Sequence, residues 1–209
     1  LNYPITLRLA GKKVVVAGGG KVAERKVSGL LGTNARIVVI SPDITDELNR
    51  LASNGMIEWQ KKSFSTEDIN GALLIFAATN DHQLNQYIKT TTSDQQLVTI
   101  ADDPAGSDFH VPSHIQRGRL SIAVSTGGAS PTLAKKIREQ LELQFDDRFE
   151  DYLEFLYSAR QRILQEVKDP SRKGRLVTAI VSEQFLNSQN READFSLLMQ
   201  EINDTKNDV

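Results

Sequence analysis

The stretch KKVVVAGGGKVAERK at residues 12–26 decides how this chain is read. Its β-branched run, Val14-Val15-Val16, suits a strand buried on both faces, and three glycines then lead into a helix-forming segment. The spacing Gly18-x-Gly20-x-x-Ala23 gives each small residue a task. Gly18 makes a tight turn, Gly20 leaves backbone room for a pyrophosphate, and Ala23 lets helix pack close on strand. Lys21 and Val22 open the helix, whose free N–H groups and partial positive charge suit a phosphate without help from a basic side chain. Glycines alone would make only a turn. A strand before them, a helix after them with Val22, Val27, Leu30 and Leu31 on one face, and a second strand over 35–40 complete a βαβ unit of dinucleotide-binding length.

Outward from that unit, strands and helices keep alternating. Ser41-Pro42-Asp43 ends the second strand, and Asp43 is expected to cap a helix running to about residue 51. The carboxylate that usually meets an adenosine ribose should stand at the end of this strand, but Asp43 comes only after Pro42. Ser41, Pro42 and Asp43 therefore remain cofactor-side candidates, and NAD cannot be told from NADP here. A third strand is expected over 57–61, a capped helical turn at 65–68 and a fourth strand over 73–77. Ala78-Thr79-Asn80-Asp81 then offers small residues against which a ligand can lie, making Thr79 and Asn80 candidates, before a helix over 82–91. A fifth strand over 97–101 ends in Asp102-Asp103-Pro104. This alternation implies a parallel sheet covered on both faces, with ligands gathered at the carboxyl ends of the strands. Gly18, Thr79 and Asp102 should face one crevice. Residues 3–7, ahead of the first strand, read as an edge segment.

From Phe109 the pattern changes. Residues 109–115 and 120–125 read as a hairpin joined through Gln116-Arg117-Gly118-Arg119. In Ser125-Thr126-Gly127-Gly128-Ala129-Ser130-Pro131, Ser130 is placed as N-cap and Pro131 as the first residue of a helix to about 143. Between 109 and 141 stand Arg117, Arg119, Lys135, Lys136 and Arg138 against the single acid Glu139, a local basic excess. The remainder reads as helices. One spans 146–167 with Phe149, Leu153, Leu156 and Ile163 on one face and is broken at Pro170; others are expected over 175–186 and 193–202, with a frayed tail over 203–209.

Composition narrows the function classes. A formal charge of -2 argues against nucleic-acid binding by bulk electrostatics, and no apolar run reaches the ~18 residues of a membrane span or resembles a signal peptide. The absence of cysteine removes disulfides and thiolate metal sites and fits a cytoplasmic location. His110 and His114 have no metal-ligand spacing, so they read as structural and no metal site is expected.

Five blocks in order carry a family resemblance: Gly18-Gly19-Gly20-Lys21-Val22-Ala23-Glu24-Arg25-Lys26, Ala77-Ala78-Thr79-Asn80-Asp81, Asp102-x-Pro104, Phe109-x-x-Pro112-Ser113, and the 125–131 loop. Together they resemble the precorrin-2 dehydrogenase family, whose module also forms the amino-terminal part of siroheme synthases. The resemblance implies an α/β fold with three parts. These are a Rossmann-like NAD-binding domain over 1–112, a small hairpin-plus-helix dimerisation domain over 113–145 and a helical domain over 146–209. It also implies a homodimer that uses NAD to oxidise precorrin-2 to sirohydrochlorin, in siroheme or cobalamin biosynthesis. The family's essential aspartate matches Asp102, read here as the base. Because the substrate is a tetrapyrrole polycarboxylate, Arg117, Arg119, Ser125, Thr126, Gly127 and Ser130 become its candidate contacts. Thr126 stands where some synthases carry a phosphorylatable serine. Two other readings stay open: an enzyme that also inserts ferrous iron into sirohydrochlorin, and a non-catalytic NAD sensor.

Overall fold

A computed structural model describes residues 2–204; the expected frayed tail lies, from residue 205 on, outside the described residues. The chain divides into two compact units, with the break between Val111 and Pro112.

In the first unit, β1 (Lys13–Ala17), α1 (Lys21–Ser28), β2 (Arg36–Ile40), α2 (Asp46–Ser53), β3 (Glu58–Gln60), a 3-10 turn (Thr66–Ile69), β4 (Ala72–Ala77), α3 (His82–Thr90) and β5 (Leu97–Ile100) follow in order. The five strands pair in parallel in the order β3-β2-β1-β4-β5. Period-two alternation explains why the central strands are apolar throughout. Val14 and Val16 enter one core cluster with Ala23 and Leu48, while Val15 and Ala17 enter another with Ile75 and Ile88 on the opposite face. The chain order reverses at β1, between β2 and β4, which opens a crevice beyond the carboxyl ends of these strands.

Several local expectations are corrected. The buried face of α1 is Ala23 and Val27, one turn apart, whereas Val22 is 39% exposed and Leu30 lies beyond the helix end at Gly29. The cap of α2 is Thr45, whose hydroxyl accepts from Leu48 N–H; Asp43 stays in the loop before it. Residues 3–7 form no strand: Tyr3, Ile5 and Leu7 are exposed, because the only apolar anchor there is Leu9, held by the Lys12 N–H to Leu9 carbonyl turn. Phe109 begins no hairpin strand but packs edge-on against Phe76 of β4 at 5.4 Å.

The second unit starts with the antiparallel hairpin β6 (Ser113–Arg117) and β7 (Leu120–Val124), against which α4 (Pro131–Gln144) packs. Ser130 caps α4 through Leu133 N–H, with Pro131 first in the helix as expected. Then come α5 (Arg148–Glu166), α6 (Pro170–Ala179), α7 (Glu183–Asn187) and α8 (Arg191–Asp204). Residues 203 and 204 thus continue a helix rather than fray from it. The buried face of α5 is Tyr152, Phe155, Ala159 and Ile163; of the expected stripe Ile163 is in that core and Phe149 and Leu156 pack against it, while Leu153 does not, and Phe155 stacks on Phe185 at 5.5 Å. Pro170 does not break a helix but begins one behind the cap Asp169. The helix expected over 175–186 is two, because the buried Tyr152 hydroxyl donates to Ile180 carbonyl and accepts from Ser182 N–H, and Ser182 caps α7.

Candidate functional site

A cleft of about 790 Å³ lies at the switch point of the sheet. The turn from β1 into α1 contributes residues 18–22, the loop after β2 contributes 41–45, and the end of β4 contributes 78–81. Every cofactor candidate lines it except Ala23, which is fully buried beneath it. Val22, turned away from the core, is therefore available to the cleft.

The three glycines differ in what they permit. Gly18 has φ +115°, and a side chain there would begin 2.3 Å from Ala78 carbonyl; at Gly19 it would begin 2.0 Å from Asp43 carbonyl. These two close the backbone on its neighbours. Gly20 has open space where its Cβ would be, at the N-cap of α1, and no side chain caps the helix there. The first N–H groups of α1 thus face a space a phosphate can enter, and a dinucleotide fits this donor set. Lys21, the basic side chain of the cleft, pairs with Glu24 at 3.0 Å. Ser41 is buried, and its hydroxyl donates to Asp43 carbonyl at 2.7 Å while its own carbonyl accepts from Trp59 Nε1 at 3.0 Å. Ser41 therefore shapes the loop, and the Asp43 side chain stands exposed.

Asp102 follows β5 and does not itself line the cleft; it is joined to the cleft by helix α3. His82 Nδ1 lies 2.6 Å from Asp102 Oδ2, and Asn85 Nδ2 donates to Asp102 Oδ1 at 3.1 Å. Asn85 in turn accepts from the N–H and hydroxyl of Thr79, a cleft residue. The hydrogen bond from His82 holds the Asp102 carboxyl below its usual range, and the same contact raises the His82 imidazole. Asp103 is built into its turn instead, accepting from Gln86 Nε2 and Gly106 N–H. Sequence reading missed His82 and Asn85. The signal was available: they stand three residues apart just after Ala78-Thr79-Asn80-Asp81, a spacing that puts both on one helix face.

In the second unit, the expected basic excess is largely answered by acids from outside the 109–141 window. Arg117 lies 2.9 Å from Asp147 and Arg119 2.9 Å from Glu154, with the Arg119 guanidinium also stacked over Tyr157; Arg138 pairs with Glu142. In the loop before α4, Thr126 hydroxyl donates to Ser130 carbonyl and accepts from its N–H, and Ser125 hydroxyl accepts from Gly127 N–H. Gly127 and Gly128 both have positive φ, which a side chain would strain.

Comparison with known proteins bears on the family and the fold. Residues 5–113 match a family model for NAD(P)-binding domains, 117–144 one for the central part of sirohaem biosynthesis proteins, and 149–194 one for the SirC C-terminal domain. Precorrin-2 dehydrogenase of Priestia megaterium is 35% identical over 92% of this chain and 96% of its own length. That of Bacillus subtilis is 33% identical over 76% of this chain and 98% of its own. Siroheme synthase 3 of Aeromonas hydrophila is 37% identical over 77% of this chain, which spans only 34% of that protein. The solved structure of SirC, a precorrin-2 dehydrogenase, superposes with a TM-score of 0.81 at 34% identity, covering 97% of this chain and 100% of SirC. The chain is thus an α/β nicotinamide-dependent oxidoreductase and belongs to the precorrin-2 dehydrogenase family.

Proposed function

We propose that this protein catalyses the NAD-dependent dehydrogenation of precorrin-2 to sirohydrochlorin. The observation that carries this reading is the pairing of an open phosphate approach at Gly20 with a carboxylate, Asp102, tied to the same cleft through Asn85. Oxidation of the reduced macrocycle removes a hydride from carbon and a proton. When bound, the nicotinamide supplies the hydride acceptor. The chain's own residues do the rest. Gly18 and Gly19 hold the turn, the α1 N–H groups bind the pyrophosphate, and Asp102, kept ionised by His82, accepts the proton. NAD is favoured over NADP because a 2′-phosphate near the end of β2 would meet the Asp43 carboxylate, and Lys21 is already paired with Glu24. A preference for NAD of about tenfold or more in kcat/KM is expected, measured with both cofactors side by side.

Arg117, Arg119, Ser125, Thr126, Gly127 and Ser130 are assigned to the substrate carboxylates. The hydroxyls of Ser125, Thr126 and Ser130 act by shaping the loop, where they hold the Gly127, Ser130 and Leu133 N–H groups, and the two arginines, exchanging their Asp147 and Glu154 partners for substrate, are the charged contacts. Residues 1–112 form the NAD-binding domain, 113–145 the dimerisation domain of a homodimer and 146–209 the helical domain. No helix among the described residues is long and apolar enough to cross a membrane, and with the cysteine-free composition this supports a cytoplasmic enzyme. The test is anaerobic incubation with NAD and precorrin-2, following NADH absorbance and the sirohydrochlorin spectrum, with ferrous iron added afterwards. Equal yields of NADH and sirohydrochlorin are expected. Unchanged precorrin-2 would refute the reading in favour of nucleotide sensing, and iron-dependent siroheme would add a chelatase step.

A further inference from the structure

Asn85 is 1% exposed and belongs to a small set of buried polar side chains among the described residues. An amide withdrawn this far from water is tolerated only when its donors and acceptor are satisfied. Asn85 meets that condition through two residues alone. Its Oδ1 accepts from Thr79 N–H at 3.1 Å and Thr79 hydroxyl at 2.8 Å, and its Nδ2 donates to Thr79 carbonyl and to Asp102 Oδ1, both at 3.1 Å. The orientation of the amide is not ambiguous. Thr79 N–H can only donate, so Oδ1 must face it and the amine must face the carboxylate.

Thr79 lines the nucleotide cleft at the end of β4, and Asp102 follows β5, the next strand of the sheet. One rigid, buried side chain thus bridges the cleft wall and the carboxylate. His82 holds the other oxygen of Asp102, but its ring is largely exposed and makes no second hydrogen bond among the described residues. We propose that Asn85 is the positioning residue of the dehydrogenation, setting the Asp102 carboxylate at a fixed place relative to the nucleotide cleft and keeping a donor, rather than a charge, against Oδ1. The proposal rests on the reading of Asp102 as proton acceptor.

The informative variant is Asn85→Asp. It keeps the shape and still accepts from Thr79, but it removes the amine and sets a second carboxylate against Asp102, beside Asp81 and Asp103, with His82 the cationic partner. Two facing carboxylates share a proton, so the pair titrates at a higher pH than Asp102 does alone. Turnover at neutral pH should fall about tenfold or more, the acid limb of the kcat profile should move up by about one pH unit, and KM for NAD should stay within about threefold. A merely structural role would lower the melting temperature and weaken NAD binding without moving that limb. A second measurement needs neither turnover nor the variant: in the unliganded wild-type protein, the Asn85 side-chain amide resonances should titrate with Asp102 and cease to do so in Asp102→Asn. Wild-type turnover in Asp102→Asn would overturn the inference together with the reading beneath it. Loss of turnover in Asp102→Asn, with a wild-type pH profile in Asn85→Asp or an Asn85 amide that does not titrate, would overturn the inference alone.

Discussion

Asp102 and Asp103 are adjacent in sequence and opposite in employment. Asp103 spends one oxygen on Gln86 of α3 and the other on the Gly106 N–H that closes its own turn, whereas Asp102 meets His82 and Asn85 and, through Asn85, is tied to Thr79 of the cleft. Asp102→Asn is therefore expected to reduce turnover by at least the ~100-fold typical of a lost general base while leaving NAD affinity nearly unchanged, with a loss of melting temperature no larger than that of removing the His82 charge. Asp103→Asn should do the reverse, with a lower melting temperature and modest kinetic change. A loss of turnover confined to the Asp103 variant would exchange the two assignments. The His82–Asp102 contact also has a pH signature whose sign follows from the two shifts. The His82 pKa is raised by Asp102, so its contribution is full below the unfolded value of about 6.5 and is lost as pH rises through the folded value. The Asp102 pKa is lowered by His82, so its contribution is present above about 3.9 and is lost as pH falls. His82→Asn keeps a neutral donor and removes the charge. Its deficit in melting temperature against wild type should peak at weakly acid pH and shrink toward both ends; a deficit independent of pH would mean the pair carries no charge-dependent stability. Asp102 could be singled out before the fold was known because it ends a strand in a recognisable block, but its partners could not. The spacing of His82 and Asn85 places them on one face of α3, but that this face meets the β5 turn, 17 to 20 residues further along the chain, is a tertiary contact that no local pattern encodes.

At the scale of elements, the β1–α1 turn separates what the fold needs from what a ligand needs. At Gly18 positive φ and the Ala78 carbonyl both forbid a side chain, so Gly18→Ala should lower the melting temperature markedly. Gly20 has ordinary negative φ and open space, so Gly20→Val should fold with a melting temperature close to wild type yet lose NAD binding in a calorimetric titration. Wild-type affinity in the Gly20 variant would remove the turn from the phosphate site. The glycine spacing was legible because each residue answers to backbone sterics, which are local. Helix faces were less so. The 3.6-residue period was present in α5, but several apolar residues satisfy it, and the face through Tyr152 and Phe155 wins because α6, α7 and α8 bring Leu176, Phe185 and Phe195 to that side. Pro170 misled for a related reason, since proline is as compatible with the first turn of a helix as it is hostile to the interior.

At the scale of the molecule, the segment 113–145 lacks the means to stand by itself. Of its residues only Ile115 and Ala134 are buried, while Leu133 is 50% exposed and Leu143 84%. A two-stranded hairpin with one helix cannot bury enough apolar surface for independent stability, and its strands end in unpaired edges. The same segment carries Arg117 and Arg119, proposed as substrate contacts, so whatever completes its core also steadies those arginines. A second copy of the chain would do so by a twofold contact, in which one self-complementary patch is covered twice. Sedimentation at micromolar concentration should therefore give a dimer. Leu133→Asp combined with Leu143→Asp should shift it toward monomer, because charge placed on such a patch must be desolvated in any packed interface. The altered protein should keep NAD affinity, since the residues proposed to bind the cofactor line a cleft in the first unit, and should lose affinity for precorrin-2. A wild-type monomer at that concentration, or a dimer untouched by both charges, would place the interface elsewhere and leave the exposed leucines without a role in assembly.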